Sequence, residues 1–210
     1  MVDKDDPYHP AHLAHGRWLG KFEPLSEFEK KLVKVCARGE VCKGDEKMPE
    51  AAIETNAVIR AEIIRFLALG GDSEHPVHEN GVMISGCYIT GDLNLDNSEN
   101  ILPISITKSC FSSHFSIINS NVSEIILDGS SLNGFYGASS HFEASLSAKN
   151  GFTNKGEFDL VQSILDRDLD LQGSTLYNPD EICLNANGIK YMVMFISLHS
   201  EIKKTSNSNL

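Results

Sequence analysis

From Leu93 onward the chain repeats one simple pattern, two apolar residues separated by a single residue. The pairs are Leu93/Leu95, Ile104/Ile106, Phe115/Ile117, Ile125/Leu127, Leu146/Ala148, Phe158/Leu160, Leu169/Leu171 and Ile182/Leu184, with Phe135 filling the gap after the fourth. Their starts recur every 10 to 13 residues. From the second unit on, a further apolar residue follows six or seven positions after each start: Phe111, Val122, Leu132, Phe142, Phe152, Ile164, Leu176 and Ile189. Alternation sends the paired side chains to one face of a short strand, and the later residue turns inward again after a bend such as Asp128-Gly129-Ser130-Ser131. A unit this short cannot bury its own face and must stack on its neighbours, which is the logic of a solenoid. Two units make a coil of roughly 22 residues, and nine units make about four to five coils. The pattern predicts a mainly β fold, a right-handed β-helix solenoid; a β-sandwich of short strands is the competing arrangement.

Residues 1–80 follow a different rhythm and are expected to form a small helical N-terminal region. Ser26 and Glu29 have capping-box spacing ahead of Phe28, Leu32, Val35 and Cys36, which predicts a helix near 27–38. A second helix is expected to begin near Asn56 or Ala57, to run through Ile59, Ile63, Phe66 and Leu67 with Glu62 paired to Arg65, and to stop at Gly70-Gly71. The repeats are expected over 81–190. After Ile189 the rhythm ends, and residues 191–210 are read as a cap or dimerisation segment and tail, with 191–198 closing the solenoid end or joining two copies.

Charge changes the picture by region. The net charge is −11. Residues 1–80 carry 15 acids against 11 bases, residues 81–190 carry 13 against 5, and residues 191–210 carry one against two. This balance argues against direct nucleic-acid binding by phosphate neutralisation. The five cysteines, Cys36, Cys42, Cys87, Cys110 and Cys183, form no C-x-x-C pair and read as reduced thiols. With a charged start, no apolar leader after it and no apolar run long enough for a membrane span, the sequence is expected to be that of a cytoplasmic protein.

The stretches Ile59-Arg60-Ala61-Glu62-Ile63-Ile64-Arg65-Phe66-Leu67, Gly70-Gly71-Asp72, Glu74-His75-Pro76-Val77-His78-Glu79 and Ile89-Thr90-Gly91-Asp92-Leu93-Asn94-Leu95 resemble bacterial solenoid proteins with G-D-L-x-L repeats. These are pentapeptide-repeat-like proteins, sometimes labelled membrane-associated oxidoreductases. The resemblance covers roughly residues 57–190 and implies the fold; no cofactor motif in the chain supports the oxidoreductase label, so no cofactor is expected.

Candidate chemistry is sparse. His9, His12 and His15 could line one helix side, without a carboxylate or cysteine at matching spacing to complete a metal shell. His75 and His78 read as turn residues. Asp166, Asp168 and Asp170 alternate as if along one strand, whereas Glu157, Asp159 and Glu181 are expected on another side, with Glu157 and Glu181 close across adjacent rungs. Such outward carboxylates suit three readings: a binding surface for a protein partner, acid–base work on a polysaccharide, or an acidic rod that imitates the duplex backbone, as in pentapeptide-repeat proteins that bind DNA gyrase. Gly86-Cys87-Tyr88-Ile89-Thr90-Gly91-Asp92 also resembles the strands of bactofilin-like filament proteins. The expectation is a non-enzymatic protein-binding scaffold with no catalytic residues and no metal.

Overall fold

The computed structural model describes residues 18–179, 181–191 and the strand Glu201–Ile202. Within them the chain winds into a β-solenoid of stacked coils, whose short strands align in parallel as four sheets of six, seven, five and four strands. The first face runs from Cys42–Lys43 through Val82–Ser85, Ile104–Thr107, Ile125–Ile126 and Leu146–Ser147 to Leu169–Asp170. The second runs from Val58–Arg60 through Tyr88–Thr90, Cys110–Phe111, Ser131–Leu132, Thr153–Lys155 and Thr175–Tyr177 to Glu201–Ile202. The third holds Leu93–Asn94, Phe115–Ser116, Phe135–Tyr136, Phe158–Asp159 and Leu184–Asn185; the fourth holds Asn121–Val122, His141–Phe142, Ile164–Leu165 and Lys190–Tyr191.

Ile104, Ile125, Leu146 and Leu169 occupy successive rungs of the first face, so each coil takes 21 to 23 residues, two sequence units as expected. Each unit supplies two faces: the apolar pair enters on the first or third, and the later apolar residue on the second or fourth. Phe115, Phe135 and Phe158 stack through the core with ring centroids 5.5 and 4.7 Å apart.

Two residues expected inward, Ile164 and Ile182, face out, and one polar residue, Asn154, faces in. Ile164 faces out and Leu165 fills the core, because Phe142 pairs with Leu165. Phe152 is buried as expected and packs on Phe158, but Asn154 takes the second-face strand position between Leu132 and Leu176. It is fully buried and satisfied, accepting from the Gly134 N–H at 3.1 Å and donating to the Gly156 carbonyl at 2.9 Å. In the last coil Leu184, not Ile182, stacks on Phe158, leaving Ile182 59% exposed.

Corners hold the rungs together through polar side chains that apolar counting does not see. Ser130 Oγ accepts from the Ser109 N–H of the adjacent rung at 3.1 Å and donates to the Ile106 carbonyl at 2.9 Å. Ser120 does the same between the Ser98 N–H and the Leu95 carbonyl. All these serines are buried, and their hydroxyls satisfy backbone groups that the tight corners would otherwise orphan. Left-handed backbone makes the corners tight; at Gly86 (φ 71°) a Cβ would fall 1.9 Å from the Asp45 carbonyl oxygen, so only glycine fits.

The solenoid begins inside the region expected to be helical. Cys42–Lys43 pairs with Ile84–Ser85, and Val58–Arg60 with Tyr88–Thr90. Helix α1 (Glu27–Cys36) has the expected capping box. Helix α2 (Ala61–Ala68) is shorter than expected at its start. Ile59 shares the helical spacing of Ile63 and Phe66, but strand pairing to Ile89 claims it, and Arg60 keeps extended backbone as the N-cap. In this first coil α2 takes the place of the third and fourth faces: it packs on Leu93–Asn94, the Leu102 N–H donates to the Ala68 carbonyl at 2.9 Å, and Arg65 donates to the Asn94 carbonyl.

Candidate functional site

The six acidic residues singled out from the sequence fall on three faces and their corners. Asp166 follows Leu165 on the fourth face, whereas Asp170 closes a first-face strand, so Asp166, Asp168 and Asp170 straddle a corner and do not share one strand. Asp166 Oδ1 sits 3.0 Å from His141 Nε2 on the neighbouring rung. Asp170 accepts from Lys149 Nζ at 2.9 Å and from the Gln172 N–H at 3.1 Å. Burial raises the Asp170 carboxyl, but these bonds outweigh it and hold the group below its ordinary value. Asp159 accepts from the Val161 N–H at 2.9 Å. Glu157 accepts from Asn185 at 3.2 Å and lies across from Cys183, two residues beyond Glu181, so the register does not set Glu157 against Glu181. Asp96 and Asp128 also accept from the backbone of the next rung, at Ile118 and Lys149. Four of the repeats' acids, Asp96, Asp128, Asp159 and Asp170, therefore cap corner turns, as Asp and Asn do elsewhere.

One cluster has the residue types of a hydrolytic triad. Asp92 accepts from Ser113 Oγ and lies 3.4 Å from His114 Nδ1. Ser113 Oγ also lies 3.4 Å from the same His114 Nδ1, so the serine and the histidine both face the Asp92 carboxylate. The histidines read as turn residues behave so: His78 Nδ1 accepts from the Asn80 N–H at 3.1 Å, and His75 Nδ1 approaches Asp72 at 3.0 Å. His9, His12 and His15 lie outside the described residues, as does 192–198 of the expected cap; Tyr191 is 48% exposed. Among the described residues no group of three His, Cys, Asp or Glu can hold a metal ion, and no helix is long and apolar enough to cross a membrane.

Burial also quietens the thiols. It pushes Cys36 and Cys87 up to about 12 and Cys42 to about 11, and raises Cys110 as well. None is a poised nucleophile.

Two surfaces stand out. On the third face the outward positions after the inward pairs are Ile118, Ala138 and Val161, joined rung to rung by the ladder Asn119 N–H to Ala138 carbonyl and Ser139 N–H to Val161 carbonyl. They form an apolar strip, with Ile118 38% exposed, beside Tyr136, Asp159 and Glu157. On the second face, Met48 and Glu50, from the segment between the strands Cys42–Lys43 and Val58–Arg60, line a groove of about 480 Å³ together with the sheet. Its floor is the column Cys110, Ser131, Thr153 and Thr175, with Lys155 and Tyr177 beside it. Sequence reading followed the inward residues and so missed both surfaces; the signal was present in the first residue of each second-face strand, Ser131, Thr153 and Thr175, and in the residue three positions after each third-face start, Ile118, Ala138 and Val161. Against protein families, curated proteins and solved structures alike, the chain finds no match.

Proposed function

We propose that this chain is a non-enzymatic scaffold of the β-helix repeat type that binds a protein partner through its third face. The observation that carries this reading is the outward strip Ile118–Ala138–Val161, stacked over three successive rungs and rimmed by Tyr136, Glu157 and Asp159. An apolar centre with an aromatic anchor and a polar rim is the anatomy of a protein interface. The stacked coils hold it rigid, so little ordering entropy opposes binding. Glu157, Asp159 and Glu181 lie at or near this face and would meet basic groups of the partner; Asp166, Asp168 and Asp170 belong to the corner between the fourth and first faces and would contribute only to the general field. The relation to bacterial pentapeptide-repeat-like solenoid proteins, and a cytoplasmic location, are part of the same proposal.

The test compares wild type with Ile118→Arg/Val161→Glu as baits in the native host, beside Ser105→Arg on the first face. The expected result is one polypeptide recovered in fixed ratio by wild type and by the first-face variant but lost with the third-face double variant. Equal recovery by all three, or no polypeptide in fixed ratio, overturns the reading.

A further inference from the structure

The groove on the second face is independent of the third-face strip and is built differently. Its floor presents Ser131, Thr153 and Thr175 in one register column, and Tyr177 and Lys155 share the next column on adjacent rungs. The rungs repeat at roughly 4.8 Å, so three steps from Cys110 to Thr175 span about 14 Å. The hydroxyls of Ser131, Thr153, Thr175 and Tyr177 and the Lys155 ammonium make no hydrogen bond to another described residue. Corner serines 109, 120, 130, 140, 163 and 174, by contrast, spend theirs on backbone carbonyls or N–H groups. The groove thus concentrates unspent hydrogen-bonding capacity beside two apolar walls, Met48 and the Tyr177 ring, in a preformed cleft.

We infer that this groove binds a linear, neutral, β-linked glycan laid along the solenoid axis. Hydroxyls both donate and accept, so a column of them matches the ring hydroxyls of a sugar without fixing which side donates. A hexose in an extended β-linked chain advances by about one rung, so successive sugars meet successive rungs. An extended peptide advances by roughly 3.3 Å per residue and falls out of step with rungs at roughly 4.8 Å. The strands of this face are also paired on both sides through Thr153–Lys155, so their backbones offer no edge for a peptide to extend. Tyr177 supplies a ring on which the apolar face of a sugar packs. Glu50 and Lys155 both line the groove and offset one another in charge, which favours a neutral glycan over an acidic one.

The test is calorimetric titration of the full chain with cellobiose, cellotriose, cellotetraose and cellohexaose, and with maltotetraose for comparison. Affinity is expected to rise from the disaccharide to the tetrasaccharide and then to level off, with maltotetraose weaker. The double variant Thr153→Val/Thr175→Val keeps shape and volume and is expected to weaken cellotetraose by about tenfold or more. Tyr177→Ala is expected to weaken it similarly, and Ile118→Arg/Val161→Glu to leave it unchanged. An unaltered melting temperature of the threonine variant certifies that it is folded. Absence of binding by the β-linked series, affinity independent of length, tighter binding of maltotetraose, or indifference to the threonine variant overturns the inference. Each of these results leaves the third-face partner test untouched.

Discussion

Glu29 grips Arg60 with both carboxylate oxygens, Nε to Oε1 at 2.8 Å and Nη2 to Oε2 at 2.9 Å. The same carboxylate accepts from the Ser26 and Arg60 backbone N–H groups, and Arg60 also donates to the Phe22 carbonyl at 2.8 Å. One ion pair therefore joins the start of α1, the end of the Val58–Arg60 strand and the start of α2, which together close the N-terminal end of the solenoid. Glu29 is buried, whereas the Arg60 side chain is 35% exposed and partly screened by water. Arg60→Ala leaves the carboxylate without its counter-charge and is expected to cost about 2–3 kcal/mol, below the value for a fully buried pair. Chemical denaturation of the variant measures this loss.

The pH dependence of that pair has a definite sign. Burial raises the Glu29 carboxyl, but the Arg60 and backbone hydrogen bonds outweigh it and hold the group below its ordinary 4.5. A depressed folded value means that the pair's contribution is present above about 4.5 and is lost as pH falls through the lower folded value. Wild type is expected to lose stability on acidification through that window more steeply than Glu29→Gln/Arg60→Met. Parallel acid-titration curves for the two proteins would refute it.

Breaking the aromatic column should be felt locally first. Phe135 packs between Phe115 and Phe158 and is fully buried. Phe135→Ala is expected to cost about 3–5 kcal/mol, because rungs above and below are held apart by their own ladders and cannot collapse into the space. In a stacked architecture each coil depends on its neighbours, so hydrogen exchange should accelerate most at residues 115–117 and 158–160. Uniform acceleration over the whole chain would show instead that the coils unfold as one unit.

What the sequence made legible was the apolar register, and with it the coil of two units and the inward Leu, Ile and Phe residues. The register was legible because a stacked coil must place an apolar side chain over its neighbour at every turn. The squared cross-section was not, because corners are specified by Ser, Asn and left-handed residues whose role depends on the next rung. Ser130 illustrates this: its partners, the Ser109 N–H and the Ile106 carbonyl, lie more than 20 positions away. The strand Val58–Arg60 was hidden for a related reason, since its pairing to Tyr88–Thr90 overrides a local helical spacing. The acids were visible as charge but not as corner caps. One side of the groove comes from Met48 and Glu50, in a segment between two strands with no periodicity of its own.

Asn154 offers a direct test of that reading, as a polar residue at an inward position. Apolar patterning would place leucine there, as at Leu132 and Leu176 on either side. Asn154→Leu adds apolar contact but strands the Gly134 N–H and the Gly156 carbonyl in a buried corner. The unmet pair is expected to outweigh the gain and to lower stability by about 1–3 kcal/mol. A stabilised Asn154→Leu protein would show that the corner hydrogen bonds contribute little.

The buried thiols set an alkaline limit. In the unfolded chain cysteine ionises near 9.0, whereas burial pushes Cys36 and Cys87 to about 12 and Cys42 to about 11 in the fold. Above 9 the unfolded state therefore releases protons that the folded state retains, and stability falls with rising pH. Each thiol contributes a slope of about 1.4 kcal/mol per pH unit once its unfolded form is fully ionised, so three approach about 4 kcal/mol per unit. The slope ends where the folded thiols themselves ionise, first at Cys42. Melting temperatures between about pH 8 and 11 are expected to drop steeply for wild type and less steeply for Cys36→Ala/Cys42→Ala/Cys87→Ala, even if that variant starts lower. Native protein should also resist thiol alkylation at these three positions until it unfolds. Equal slopes in the two proteins, or rapid alkylation of the folded chain at Cys36, Cys42 or Cys87, would show that the thiols are not held in a dry interior.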